Sequence, residues 1–433
     1  MENRTEKAAY LTALLGLVLL RNRPPRNLRN LRLFPLSNQQ ASCDNYENES
    51  DATMKGTGAP VERQQRRPIA ALLLSMLVMC AGLFGACGQQ QNVGAAAPSA
   101  SSSTASATST APSASAAAQS SDVVVGVAWR PNAESLSYKS TCRALEAAGI
   151  PYVVLSQAHS ADLAYDENNK LTEGVADTGA LSPEAGKLVR CNTWQESDAA
   201  EILRGVNAVI FPGGEDVSPS LYYDPQEWHG IEEEKDYSAE RDASDFVLMS
   251  YCLEHDIPLM TLCRGTQMLS IVSGAEVVQD IPAWFASQGK DYQNEHKQLK
   301  DSEGHRDFAP NVVWVERGSI LHDIVQKDEL EGCPCWHHQA IANVDGTRLV
   351  VAAHATTEGT DMIEAIERTD KTFAIGVQFH PEISIQKVLD NEANAQEYLD
   401  YDTALKLFKR LEEEGARQLS EDPQNLGLRP TPL

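Results

Sequence analysis

From Asp122 the chain alternates short apolar runs with stretches of helical spacing, and this alternation constrains the fold more than any other feature. DVVVGVAW, YVVL, NAVIFPGG and PLMTLC read as strands. LSYKSTCRALEAAG, SAERDASDFVLMSYCLEHD and RGTQMLSIVSG read as helices, two of them closed by a glycine, Gly149 and Gly274. Strand–helix alternation of this kind requires a parallel sheet with helices on both faces, an open α/β architecture. The later runs NVVWVE, TRLVVAAH, MIEAIER and FAIGVQFH come without long helices between them, so part of the sheet is expected to be antiparallel. Residues 157–200, polar and rich in Asn, Asp, Gly and Ser, read as a surface excursion, and a last helix is expected over about 393–414.

In an open parallel sheet, reactive groups gather at the carboxyl ends of strands. Three segments meet that condition: Pro212-Gly213-Gly214, Cys263, and Gln378-Phe-His-Pro-Glu382. Cys263 stands between the run ending at Leu262 and a helical stretch, and Gly265 would let the chain turn sharply there, the geometry of a nucleophile elbow. Its thiolate would be favoured by the helix N-terminus and by a nearby histidine. His380 would relay protons. Glu382, two residues on along an extended segment, would point to the same side and accept the other ring hydrogen. Gly213, Gly214 and the amide after the nucleophile, that of Arg264, could stabilise an oxyanion. Each piece has a plainer reading: a buried core cysteine, a turn, a loop and a solvated carboxylate. Their joint occurrence at three strand ends favours chemistry.

The stretches FPGGEDVSPSLY, AERD, LCRGTQMLSIVSGAEVVQDI, HHQAI, DMIEAIER and GVQFHPE, in this order, resemble the class I glutamine amidotransferase-like superfamily. Within it the resemblance is to the gamma-glutamyl-gamma-aminobutyrate hydrolase family, also called peptidase C26. It implies a flavodoxin-like, mostly parallel sheet with some antiparallel strands. It also implies a Cys-His-Glu triad falling on Cys263, His380 and Glu382, and an oxyanion site at the amides of Gly214 and Arg264. Gln267 would line the pocket and His338 would border the substrate. Thr261 stands where the family commonly has Gly, Ala275 replaces the second Gly of a usual pair, and Cys335 stands where Ser is frequent. The implied reaction is hydrolysis of a gamma-glutamyl amide through a thioester, with no cofactor. A glutaminase subunit feeding ammonia to a synthase, or a non-catalytic ligand-binding surface lipoprotein, are the alternatives. Cys333-Pro-Cys335-Trp-His337-His338 can also be read as a zinc cluster. Zinc sites usually space paired ligands wider, and the family resemblance accounts for HHQ, so no metal is expected.

The first 121 residues are of another character. RQQRR at 63–67 precedes an uncharged apolar stretch over 69–87, and QQQNVGAAAPSASSSTASATSTAPSASAAAQSS follows. That is the order of an export signal and a flexible tether. Leu83-Phe-Gly-Ala-Cys87 resembles a bacterial lipobox, with Phe84 where Leu is usual, so Cys87 would be lipid-modified. Residues 54–87 are thus expected to be a lipoprotein signal and 88–121 a disordered tether. Residues 122–415 would form the hydrolase domain and 416–433 a polar tail. An uncleaved anchor over the same apolar stretch is the alternative. Met54 is expected to be the start, with residues 1–53 an over-long reading of the gene. Residues 1–69 hold 11 basic and 7 acidic side chains and 70–121 none, so the chain's net charge of -25 becomes -29 on 122–433. Such acidity makes nucleic acid a poor partner. The expected partners are a small gamma-glutamyl substrate and, through the anchor, the outer side of a bacterial membrane, with a homo-oligomer left open.

Overall fold

The computed structural model describes residues 123–191, 196–225, 228–293, 295–298 and 307–421. The expected signal, lipidation site and tether lie outside these residues. Among the described residues, no helix is long and apolar enough to cross a membrane.

Eleven strands form one mixed sheet. β1 (Val125–Val127), β2 (Tyr152–Val154), β3 (Ala208–Phe211), β4 (Leu259–Leu262) and β11 (Ala374–Val377) pair in parallel, in the order β2-β1-β3-β4-β11. Beyond β11 the sheet continues antiparallel through β10 (Thr360–Arg368), β9 (Leu349–Thr357), β6 (Ala309–Val315) and β7 (Glu329–Cys335). β5 (Glu276–Val278) and β8 (Ala340–Asn343) pair with each other, and β8 also bridges to β10. The fold is α/β, and the antiparallel extension is larger than the sequence suggests. β5, β7 and β8 were not among the expected strands: β5 is three residues long and β7 holds Gly332 and Pro334, which mask a strand pattern.

Alternation along the parallel strands sends side chains into two cores. Val209 and Phe211 of β3 enter one, with Phe246 and Met249 of the helix Ala239–Glu254. Ala208 and Ile210 enter the other, with Leu145 of the helix Leu136–Ala148 and Leu407 and Phe408 of the helix Tyr401–Glu421. Apolar residues on both faces are what a strand covered by helices on both sides requires. Two expectations need correction. The last helix starts at Tyr401 rather than near 393, because Asp400 caps it by accepting from the backbone N–H of Thr403 at 3.0 Å. Residues 157–200 are more than a surface excursion: the helix Pro183–Cys191 contributes Ala185 and Val189 to the first core.

Candidate active site

Strand β4 ends at Cys263, and the chain turns there into the helix Arg264–Val272. Cys263 itself carries the turn, with φ 47° and ψ −106°, a conformation that a residue with a side chain rarely adopts. The neighbours over-determine it. The Cys263 amide donates to the Val377 carbonyl of β11 at 2.8 Å, and its own carbonyl accepts from Thr266 and Gln267 at 2.9 and 3.1 Å. Gly265 therefore has a different task from the one expected. A Cβ there would collide with the Phe211 carbonyl, so glycine lets the helix start against the end of β3.

Thr261, in place of the family's usual glycine, is fitted by its surroundings. It pairs in register with Gly376 of β11, whose missing side chain leaves room for the threonine hydroxyl. Thr261 Oγ1 lies 3.0 Å from Thr266 Oγ1, which donates to the Val377 carbonyl at 2.7 Å. Ala275 meets no conformational demand for glycine, since the left-handed residue closing the helix is Gly274 at φ 83°.

β11 leads to His380, which stands immediately before the helix Pro381–Leu389. Glu382 thus lies in a helical first turn, not on an extended segment. The turn still brings the two together, with His380 Nδ1 2.6 Å from Glu382 Oε1. Glu382 is fully buried, and Ser137 Oγ donates to the same oxygen at 3.1 Å. Burial opposes a charge on His380, but Glu382 and Cys263 more than reverse this and raise its pKa to about 10. The bond to Glu382 through Nδ1 leaves Nε2 unengaged by the carboxylate, on the ring that lies beside Cys263. The rings of Phe308 and His380 meet edge to face at 5.1 Å.

The Pro-Gly-Gly turn lies against both groups. A Cβ on Gly213 would sit 2.7 Å from His380 Cε1 and 3.4 Å from Cys263 Cβ. Arg241 donates to the carbonyls of Pro212 and Gly213 at 2.8 and 3.0 Å, and Arg130 to that of Gly213 at 3.3 Å. In a trans peptide the N–H points opposite to the carbonyl, so the amides of Gly213 and Gly214 face away from these guanidiniums. Among the described residues, no acceptor takes the amides of Gly213, Gly214 or Arg264.

The guanidiniums are themselves anchored. Arg241 and Arg264, both buried, pair with Glu215, Asp242 and Asp245. Burial works against the Glu215 carboxylate, but Arg241, Arg130 and Arg264 hold its pKa down at about 2. The Arg264 side chain thus runs into this network, and only its backbone N–H is available at the turn.

The other two expected site residues are engaged elsewhere. Gln267 is buried and donates to the Gln339 carbonyl at 3.2 Å. His338 lies between Asp216 and Asp280 at 3.0 and 3.3 Å. Despite burial, these carboxylates raise its pKa to about 9. Sequence reasoning passed over two residues. Gln378 donates from Nε2 to Cys263 Sγ at 3.5 Å, and its place two residues before His380 was a usable signal. Ser137, 245 residues from Glu382, had none.

A family model for Peptidase C26 matches residues 172–382, which include Cys263, His380 and Glu382. A provisionally named glutamine amidotransferase of Mycobacterium tuberculosis is 32% identical over 184 residues, 42% of this chain and 53% of that protein, so the match spans about half of that relative's length. Protein NtpR of Enterococcus hirae is 28% identical over 191 residues, 43% of this chain and 71% of the relative. The gamma-glutamyl-gamma-aminobutyrate hydrolase PuuD of Escherichia coli K12 is 26% identical over 187 residues, 42% of this chain and 66% of the relative. These matches agree with the order of motifs in the sequence: over residues 172–382 this chain is similar to Peptidase C26 and to proteins named as glutamine amidotransferases or gamma-glutamyl-gamma-aminobutyrate hydrolases.

Proposed function

We propose that the protein hydrolyses gamma-glutamyl amide bonds through a Cys263–His380–Glu382 triad. The observation that carries this reading is the approach of His380, held by Glu382, to Cys263 beside three amides without acceptors among the described residues. His380 keeps its proton, so the sulfur can act as a thiolate and attack the side-chain carbonyl of a glutamyl group. The oxyanion that forms is received by the amides of Gly213, Gly214 and Arg264. His380 gives its Nε2 proton to the departing amine as the tetrahedral intermediate collapses to a thioester. Water then attacks the thioester with His380 as base, which releases glutamate and restores the thiolate.

Alanine in place of Cys263 should abolish release of glutamate from gamma-glutamyl peptides and amines while leaving the circular dichroism spectrum unchanged. A variant with normal turnover would remove the nucleophile assignment. Glutamine as substrate, with ammonia as the leaving group, is the second reading, favoured by the name of the Mycobacterium relative. It uses the same residues, and comparing kcat/KM for glutamine with a panel of gamma-glutamyl amines decides between them. We also propose export, with lipid attachment at Cys87. The support is the sequence order of basic residues, apolar stretch and small residues before that cysteine.

A further inference from the structure

Next to the thiol, on the side of the antiparallel strands, a second set of reactive side chains converges. His296 precedes β6, Cys335 ends β7, His337 follows two residues later, and Glu364 lies in the middle of β10. All four are buried, and their donor atoms lie within 4.8 Å of one another.

A buried polar cluster is unremarkable when every acceptor has a donor. This one lacks donors. His337 Nδ1 is 2.9 Å from the Gln339 carbonyl, so it must carry the ring proton, and Nε2 is left with a bare lone pair. The Asn311 Nδ2 amide, 3.1 Å from His296 Nδ1, can only donate to it, so this nitrogen is also an acceptor, while His296 Nε2 reaches Thr357 Oγ1 at 3.0 Å. Glu364 Oε1 lies 3.1 Å from His296 Nδ1 and 3.8 Å from the bare His337 Nε2, so His296 can ligate an ion there by exchanging its contact with Asn311 for the metal bond. Neither His337 Nε2 nor Glu364 Oε1 has a hydrogen-bond partner among the described residues. Cys335 Sγ lies 4.0 Å from the other oxygen, Glu364 Oε2. Acceptors turned toward one another in a dry site call for a cation between them.

We propose that His296, Cys335, His337 and Glu364 bind one divalent transition metal ion of the zinc class. Two imidazoles, a thiolate and a carboxylate are a zinc-type donor set, and metal–ligand bonds of the usual length imply ligand-to-ligand edges of roughly 3.4 Å in a tetrahedron. The separations of 3.1 and 3.8 Å from Glu364 Oε1 bracket that value, and the remaining ligand atoms, within 4.8 Å of one another, would draw in around the ion. On binding, the Cys335 S–H bond breaks, its proton leaves to solvent and a sulfur–metal bond forms, with no change of oxidation state. Thiolate, carboxylate and a divalent ion then sum to zero charge, which suits a buried site. The His337 Nδ1–H bond to a backbone carbonyl is the outer contact that commonly orients a ligating histidine.

The ion would act as a clamp on the groups around Cys263 and take no part in the reaction. The carbonyl of Trp336, between two of the ligands, lies 3.8 Å from Cys263 Sγ. The Glu364 carbonyl accepts from the amide of Gln378 at 2.8 Å, and the Gln378 side chain reaches the same sulfur.

Titration of the purified, chelator-stripped full chain with Co²⁺ tests the site. Expected are one bound equivalent, a thiolate-to-cobalt charge-transfer band in the near ultraviolet, and loss of that band on adding Zn²⁺. Cys263→Ala should retain the band, which separates this site from the nucleophile. Cys335→Ser should lose it and bind Co²⁺ at least about tenfold more weakly, and Glu364→Gln should weaken binding with the band kept. Absence of saturable binding by the unaltered chain overturns the site, as does a band lost in Cys263→Ala or kept in Cys335→Ser.

Discussion

At the scale of single residues, the site works by placing charge where burial would otherwise remove it. The ordinary pKa of His380 is 6.5, and its neighbours raise it to about 10. A raised histidine pKa stabilises the folded state below about pH 6.5, and that contribution is lost as pH rises through the folded value. In the proposed reaction the same proton passes to the leaving amine, so activity should persist well into alkaline solution and fall toward pH 10. Glutamine at position 382 keeps the shape and removes the negative charge. This change should cost about 10² to 10⁴ in kcat and move the alkaline limb of the pH–rate profile to lower pH. A profile whose alkaline limb does not move would remove Glu382 from its role. Glu215 has the opposite sign. Its pKa is depressed from 4.5 to about 2, so it stabilises the fold above its ordinary value and loses that contribution as pH falls through the folded one. The shift corresponds to about 3 kcal/mol. Denaturant titrations at pH 7 and pH 3 should therefore show a large cost of Glu215→Gln at pH 7 that shrinks at pH 3.

Secondary-structure elements matter here through their ends. The carboxyl ends of β3, β4 and β11 deliver the Pro-Gly-Gly turn, Cys263 and His380 to one place, because the three strands are neighbours and run in parallel. Close packing at these ends depends on glycine. Alanine at Gly265 would drive a methyl group into the Phe211 carbonyl, and a cost of about 1–3 kcal/mol is expected from this overpacking. A lower thermal midpoint together with a lower kcat is the expected result, since β3 carries the turn that faces Cys263. An unchanged midpoint would mean that the helix can move away freely. Apart from the helix Pro183–Cys191, which falls in a stretch that reads as loop, the main strands and helices through residue 274 were legible in the sequence, because apolar periodicity and closing glycines are local signals. β5 and β8 were not, because three- and four-residue strands owe their existence to their pairing partners.

For the whole molecule, the described fold accounts for residues 123–421 apart from short gaps, and the proposed export signal precedes it. Labelling with palmitate in bacterial cells should mark the full-length protein, and Cys87→Ser should abolish the label. Label that persists in this variant would count against attachment at that cysteine.

The sequence by itself determined the α/β class, the elbow cysteine and the two residues at the end of β11, because strand ends, glycines and short spacings are written locally. It could not determine what stands beside them. That Ser137 supports Glu382, that Gln378 reaches the sulfur, and that His296 and Glu364 join Cys335 and His337 in one dry cluster depends on segments brought together by pairing across the sheet. Contacts between residues far apart in the chain follow from strand order and register. Only the tertiary structure fixes these, because each strand is held in place by its neighbours rather than by its own residues.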